Sequence, residues 1–212
     1  MRAIDLLRQS ILTEEFDYLQ LMQALDKYKK PRDAATRLLK TGAIIRVKKG
    51  LYVFGQLYRR GSICIESLAN LIYGPSYLSL EYALQYYNMI PERVEQITSM
   101  TVLKNKDYNT PLGMFVYEHL NLEKYSVGIT QIDTNSQHQF LIASPEKALA
   151  DRIASHKNLE TAEEVYSFVC QGMRIEEESL KNLDESLLED IATIYRNSAV
   201  SALSKLVKDL SC

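Results

Sequence analysis

The sequence predicts an α+β protein: an N-terminal winged helix-turn-helix, then a mixed α+β part with a largely antiparallel sheet and C-terminal helices. Three observations lead there. The 212 residues, 46% of them hydrophobic, suffice for one large core or two small ones. The first sixty residues show helical periodicity that gives way abruptly to a hairpin pattern. Behind them, helical and β-rich stretches mix before a helical, acidic C-terminal part. The expected division is a winged helix-turn-helix over residues 1–60 and an α+β part over 61–212.

In residues 4–12, Ile4, Leu7, Ile11 and Leu12 fall on one helical face. Thr13 is placed to cap a second helix, in which Phe16, Leu19, Leu21, Met22 and Leu25 recur up to about Asp26. Pro31 suits the first turn of a third helix and Gly42 the position just past its end. Within it Ala35, Leu38 and Leu39 share one face, leaving Asp33, Thr36, Arg37 and Lys40 on the other. Residues 43–54 then run as two β-branched and aromatic stretches split by Lys48-Lys49-Gly50, the pattern of a β-hairpin whose tip is cationic.

After Arg59-Arg60-Gly61, Ser62 opens a helix that closes at Gly74-Pro75, and Ser79 is placed to cap another with Leu80, Ala83, Leu84 and Tyr87 buried. Strands are expected over 94–102, 114–120, 125–129 and 138–142, with turn material over 105–113. Ser144-Pro145-Glu146 combines an N-cap, a first-turn proline and a first-turn acid. Residues 157–212, with eleven acidic and six basic side chains, read as helices covering the sheet or docking a partner.

The net charge of −2 conceals a division. Residues 27–60 hold eleven basic side chains against Asp33 alone, a local +10, which leaves −12 on the rest. Such a segment attracts a phosphate backbone while the acidic remainder is repelled by one. With the helix-turn-helix pattern, this points to double-stranded DNA. Thr36, Arg37 and Lys40 would face the major groove, Arg32 the phosphates near the helix start, and Lys29, Lys30, Arg46, Lys48 and Lys49 the backbone.

Signatures of other classes are missing. No apolar run is long enough to span a membrane, and Arg2, Asp5 and Arg8 interrupt the first helix, so a secreted or membrane protein is not expected. Cys64, Cys170 and Cys212 are far apart, with no C-x-x-C, which makes a reducing cytoplasm the default. His119, His138 and His156 form no H-E-x-x-H, and no phosphate-cradling glycine loop occurs. No catalytic centre, metal or cofactor is therefore expected, and the fourteen tyrosines read mostly as core.

Three motifs follow in order: Arg46-Val47-Lys48-Lys49-Gly50-Leu51-Tyr52, then Gly74-Pro75-Ser76-Tyr77-Leu78-Ser79 with Tyr82-Ala83-Leu84, then Ser144-Pro145-Glu146-Lys147-Ala148-Leu149-Ala150-Asp151. Together they resemble the AbiEi-type antitoxins of type IV toxin–antitoxin systems. The resemblance spans about residues 15–155. It implies a repressor that binds an inverted-repeat operator upstream of its own operon and an antitoxin activity in the second part. Its functional partner would be a nucleotidyltransferase-like toxin from a neighbouring gene, with no stable complex required. The alternatives are a winged-helix regulator whose second part senses a small molecule and, further off, an enzyme acting on nucleotides or a toxin's product.

Overall fold

Two β-sheets organise the chain, and the computed structural model describes residues 2–134, 138–156 and 159–211; Cys212 lies outside them. The class is mixed α+β. The order begins α1 (Ala3–Ser10), β1 (Glu15–Asp17), α2 (Tyr18–Ala24), α3 (Pro31–Lys40), β2 (Ile44–Lys48) and β3 (Leu51–Phe54). These strands form an antiparallel sheet in the order β1-β3-β2. The three helices close over one of its faces, burying Ile4, Leu7, Leu21, Leu25, Ala34, Ala35 and Leu38 against Phe16, Ile44, Tyr52 and Phe54.

One expectation fails here. Residues 14–26 are not one helix capped by Thr13: Glu15–Asp17 is a strand, and α2 starts at Tyr18. Asp17 and Gln20 form a capping box, with Gln20 N–H on Asp17 Oδ1 at 2.8 Å and Asp17 N–H on Gln20 Oε1 at 2.9 Å. Thr13 instead donates its hydroxyl to Glu15 O at 2.7 Å. The strand forms because β3 offers a free edge to Glu15, Phe16 and Asp17, opposite Val53, Tyr52 and Leu51.

Leu51-Tyr52-Val53-Phe54 is buried at every position, the mark of a strand covered on both faces. Tyr52 and Phe54 enter the N-terminal cluster, whereas Leu51, Val53 and Val47 belong to the larger one. Fully burying a side chain such as Val53 is worth about 1.5–3 kcal/mol, so this hairpin joins the two cores through a few apolar side chains. The close crossing where β3 ends explains Gly55, since a Cβ there would stand 1.9 Å from Gly42 O.

The chain continues as α4 (Ile65–Ile72), β4 (Ser76–Leu78), α5 (Leu80–Tyr86), β5 (Gln96–Thr101), β6 (Lys106–Thr110), β7 (Gly113–His119), α6 (Leu122–Tyr125), β8 (Ile129–Thr134), β9 (His138–Ala143) and α7 (Pro145–Ser155). The six strands lie in the order β6-β7-β5-β4-β9-β8, with antiparallel pairs β6/β7, β4/β5 and β8/β9 and parallel pairs β5/β7 and β4/β9. The stretch expected as turn therefore contains β6. Its polar sequence, Lys-Asp-Tyr-Asn-Thr, suits an edge strand, where Tyr108 and Thr110 turn inward. The strand expected over 125–129 is divided between α6 and β8.

Tyr117 of β7 donates to Ala69 O of α4 at 2.6 Å, which places α4 on one face of the sheet. On the other, α5 and α7 are joined by Arg152 Nε to Glu81 Oε1 at 2.5 Å. The C-terminal helices α8 (Ala162–Tyr166), α9 (Glu177–Lys181), α10 (Glu185–Tyr195) and α11 (Ser198–Ser211) complete the larger core through Val165, Leu180, Leu188, Ile191, Val200, Leu203 and Val207.

A buried polar network ties these layers together. Ser144 caps α7 by accepting Lys147 N–H at 3.2 Å. One and two turns on, Lys147 and Asp151 are buried with their charged groups 3.4 Å apart. Asp151 Oδ2 accepts Ser79 Oγ–H at 2.7 Å and Tyr77 Oη–H at 3.0 Å, and Oδ1 accepts Tyr195 Oη–H. Lys147 donates to Lys124 O at 2.6 Å and to Tyr195 Oη. Ser79 thus serves Asp151 rather than its own helix, whose N-terminus has no side-chain cap. Burial pushes the Lys147 ammonium below its ordinary range against the opposing pull of Asp151. Gly128, at φ +69°, lets the chain pass where a Cβ would be 2.8 Å from Lys147 Cβ.

Candidate nucleic-acid interface

Helix α3 starts with Pro31 at its first position and ends at Thr41, whose hydroxyl bonds back to Arg37 O at 3.1 Å before Gly42 turns away at φ +68°. Ala34, Ala35 and Leu38 are its buried face, with Leu39 half-buried. That rotation leaves Arg32, Asp33, Thr36, Arg37 and Lys40 exposed along one side. Thr36 donates its hydroxyl to Arg32 O at 2.9 Å, so its oxygen remains the group turned outward for accepting a bond. Lys29 and Lys30 are exposed in the preceding link, and Arg46 and Lys49 on the hairpin. Among the described residues, none of Lys29, Lys30, Arg32, Arg37, Lys40, Arg46 and Lys49 forms an ion pair.

Two open depressions flank the start of α3. One, of about 500 Å³, lies between α2 and α3 and is lined by Tyr18, Met22, Lys30, Pro31, Arg32 and Asp33. The other, of about 580 Å³, is lined by Lys27 to Lys30, Asp33 and Arg37. Tyr18 N–H donates to Gly50 O at 3.0 Å, so the first residue of α2 and the hairpin tip adjoin. Tyr18 is the residue that reading 14–26 as one helix passes over. The Asp17-x-x-Gln20 capping box is the signal that places it at a helix start.

Lys48 behaves differently from Lys49. The ladder has a register shift between Arg46 and Lys48, and Lys48 pairs with Leu51. Its side chain is thereby brought to the face that carries Leu51 and Val53, where Nζ donates to Ile72 O at the end of α4. Burial, and then the nearby Lys106 ammonium, push its pKa below the ordinary value. Lys48 is therefore half-buried and tied to the end of α4, whereas Lys49 is exposed at the hairpin tip. Of the arginines beyond the hairpin, Arg59 donates Nε–H to Phe54 O at 2.9 Å. The N–H groups of Arg60 and Gly61 reach Glu14 Oε1 at 2.9 and 3.1 Å.

A further groove, of about 660 Å³, opens beside β5 and β7 and is lined by Glu81, Glu95, Glu118 and Arg152 together with Gln96, Thr98 and Ser155. Burial and the adjacent Glu81 hold the Glu118 carboxyl above its usual range. Cys64 caps α4 by accepting Ser67 N–H, and burial raises its thiol to about 11, which makes it a poor nucleophile. Among the described residues no three His, Cys, Asp or Glu side chains are grouped to hold a metal ion, and no helix is long and apolar enough to cross a membrane.

No family model matches the chain, and no curated protein matches it in sequence. The second and third motifs behind the resemblance to AbiEi-type antitoxins meet at the buried Asp151, where Tyr77, Ser79 and Lys147 converge. All four of these side chains are buried.

Proposed function

We propose that the chain is a cytoplasmic, sequence-specific DNA-binding repressor, with residues 1–60 acting as a winged helix-turn-helix. The observation that carries this reading is the exposed, unpaired cationic side of α3, continued by Lys29, Lys30, Arg46 and Lys49. The element order α1-β1-α2-α3-β2-β3 with a β1-β3-β2 sheet supports it, because a recognition helix followed by a hairpin is how this motif meets a duplex. Arg37, Lys40 and Thr36 would read the major groove. Arg32, Lys29, Lys30, Arg46 and Lys49 would neutralise phosphates.

The family resemblance extends the proposal to an autoregulating antitoxin of a type IV system that acts on an inverted-repeat operator and counters a nucleotidyltransferase-like toxin without a stable complex. The test is footprinting of the DNA upstream of the chain's own gene. Protection of two inverted half-sites, with an adjacent reading frame whose product arrests growth unless this chain is expressed, is the expected result. Equal protection of scrambled DNA would reduce the reading to non-specific binding. The groove lined by Arg152, Glu81 and Glu118 supports a second reading, a regulator whose larger part senses a small molecule. A saturable thermal shift with a metabolite, together with altered DNA binding, would favour it.

A further inference from the structure

The face of β3 turned away from α3 meets the larger core through an apolar strip, Val47, Leu51 and Val53. A polar tie stands on either side of it. On the β2 side it is Lys48 to Ile72 O. On the β1 side Glu15, opposite Val53, places Oε1 2.9 Å from His138 Nδ1 at the start of β9, 123 residues along the chain. Both of these side chains are more than nine-tenths buried, and among the described residues Glu15 Oε2 has no hydrogen-bond partner. Its neighbour Glu14 serves the opposite direction, binding Arg8 and the N–H groups of Arg60 and Gly61.

Resting on the DNA-binding reading above, we propose that Glu15 and His138 are a positioning pair: they set the angle at which the cationic face is carried by the rest of the chain. Apolar contact is non-directional and permits sliding, whereas a buried carboxylate-to-imidazole bond is satisfied in one register only. Without His138, Glu15 would be left buried with neither oxygen bonded, and the contact would open to hydrate it. Duplex binding responds to that angle because the larger part, residues 61–212, carries −9. Swinging it within about 8–10 Å of the phosphates, the screening length near physiological salt, adds repulsion.

The test uses the full chain, a 24-base-pair duplex of random sequence, and trypsin, which cuts after Arg59 and Arg60 in the connection between the two cores. For His138→Ala, cleavage there accelerates about tenfold or more as the open form becomes populated, and duplex affinity falls about fivefold at low salt. His138→Gln, whose amide can still donate to Glu15, returns both to near wild type, which a mere filler of space would not require. The double variant Glu15→Ala with His138→Ala leaves no buried orphan charge and so remains folded, yet is cut faster and binds more weakly. A folded His138→Ala or double variant with wild-type cleavage and wild-type affinity overturns the proposal. If the wild-type chain itself fails to bind the duplex, the DNA-binding reading falls and the cleavage rates alone decide the pair.

Discussion

Two adjacent lysines at the hairpin tip have different fates, and the difference comes from one register shift. Lys49 is exposed, while Lys48 is turned toward α4 and donates to Ile72 O. Each lysine that meets a phosphate adds about 0.9 to the slope of log K against log salt concentration. Lys49→Ala is therefore expected to flatten that slope by about 1. Lys48→Ala is expected to leave the slope unchanged while lowering thermal stability, because Ile72 O loses its partner. Salt titrations of duplex binding by the two variants check this. The same logic assigns about one unit of slope to Arg32 or Lys30, and a change of base preference, not of slope alone, to Arg37.

Helix α7 shows what holds the larger part together. Lys147 and Asp151 sit one turn apart in the buried interior, where Tyr77, Ser79, Lys124 and Tyr195 take up their polar groups. Removing one partner strands the other's charge, so Asp151→Ala is expected to cost about 3–5 kcal/mol in urea unfolding. Lys147→Met combined with Asp151→Leu should cost less than the two single changes added, by about 0.5–3 kcal/mol. The start of this helix was legible in Ser144-Pro145-Glu146 and that of α3 in Pro31, because caps and first-turn prolines act locally. The β2–β3 hairpin was legible for the same reason. The strand β1 was not, being three residues long and formed only by an edge of β3 that comes 34 residues later. Nor was β6, whose edge position frees it from any apolar requirement. The network around Asp151 was invisible because Tyr195, Ser79 and Tyr77 lie 44 to 74 residues away from it. On the cationic face, the exposed positions followed from helical period, but the direction of Lys48 depended on a bulge that no local signal marks.

Across the whole molecule, the buried tyrosines set a limit at high pH. Burial, reinforced by Asp151 for Tyr77 and Tyr195, raises the hydroxyls of Tyr77, Tyr117 and Tyr195 well above their ordinary value near 10. Below pH 10 both folded and unfolded chains keep these protons. Above it the unfolded chain releases them while the folded chain does not, so stability falls by about 4 kcal/mol per pH unit for the three. Lys147 and Lys48, both lowered in the fold, act in the opposite sense as pH approaches 10.5 but are two groups against three. Cooperative unfolding between about pH 11 and 12, with tyrosinate absorbance rising in the same step, is expected. A gradual rise of absorbance without loss of circular dichroism would contradict it. Charge is likewise a property of the whole chain, with a local +10 over residues 27–60 set against −12 elsewhere. Its most direct test is the affinity of the intact protein for a duplex across a salt series. A slope steeper than about −3 is expected, flattened by about 3 when Arg32, Lys30 and Lys49 are all changed to alanine. A slope near zero, or one that the triple substitution leaves unchanged, would mean that this face does not meet a phosphate backbone.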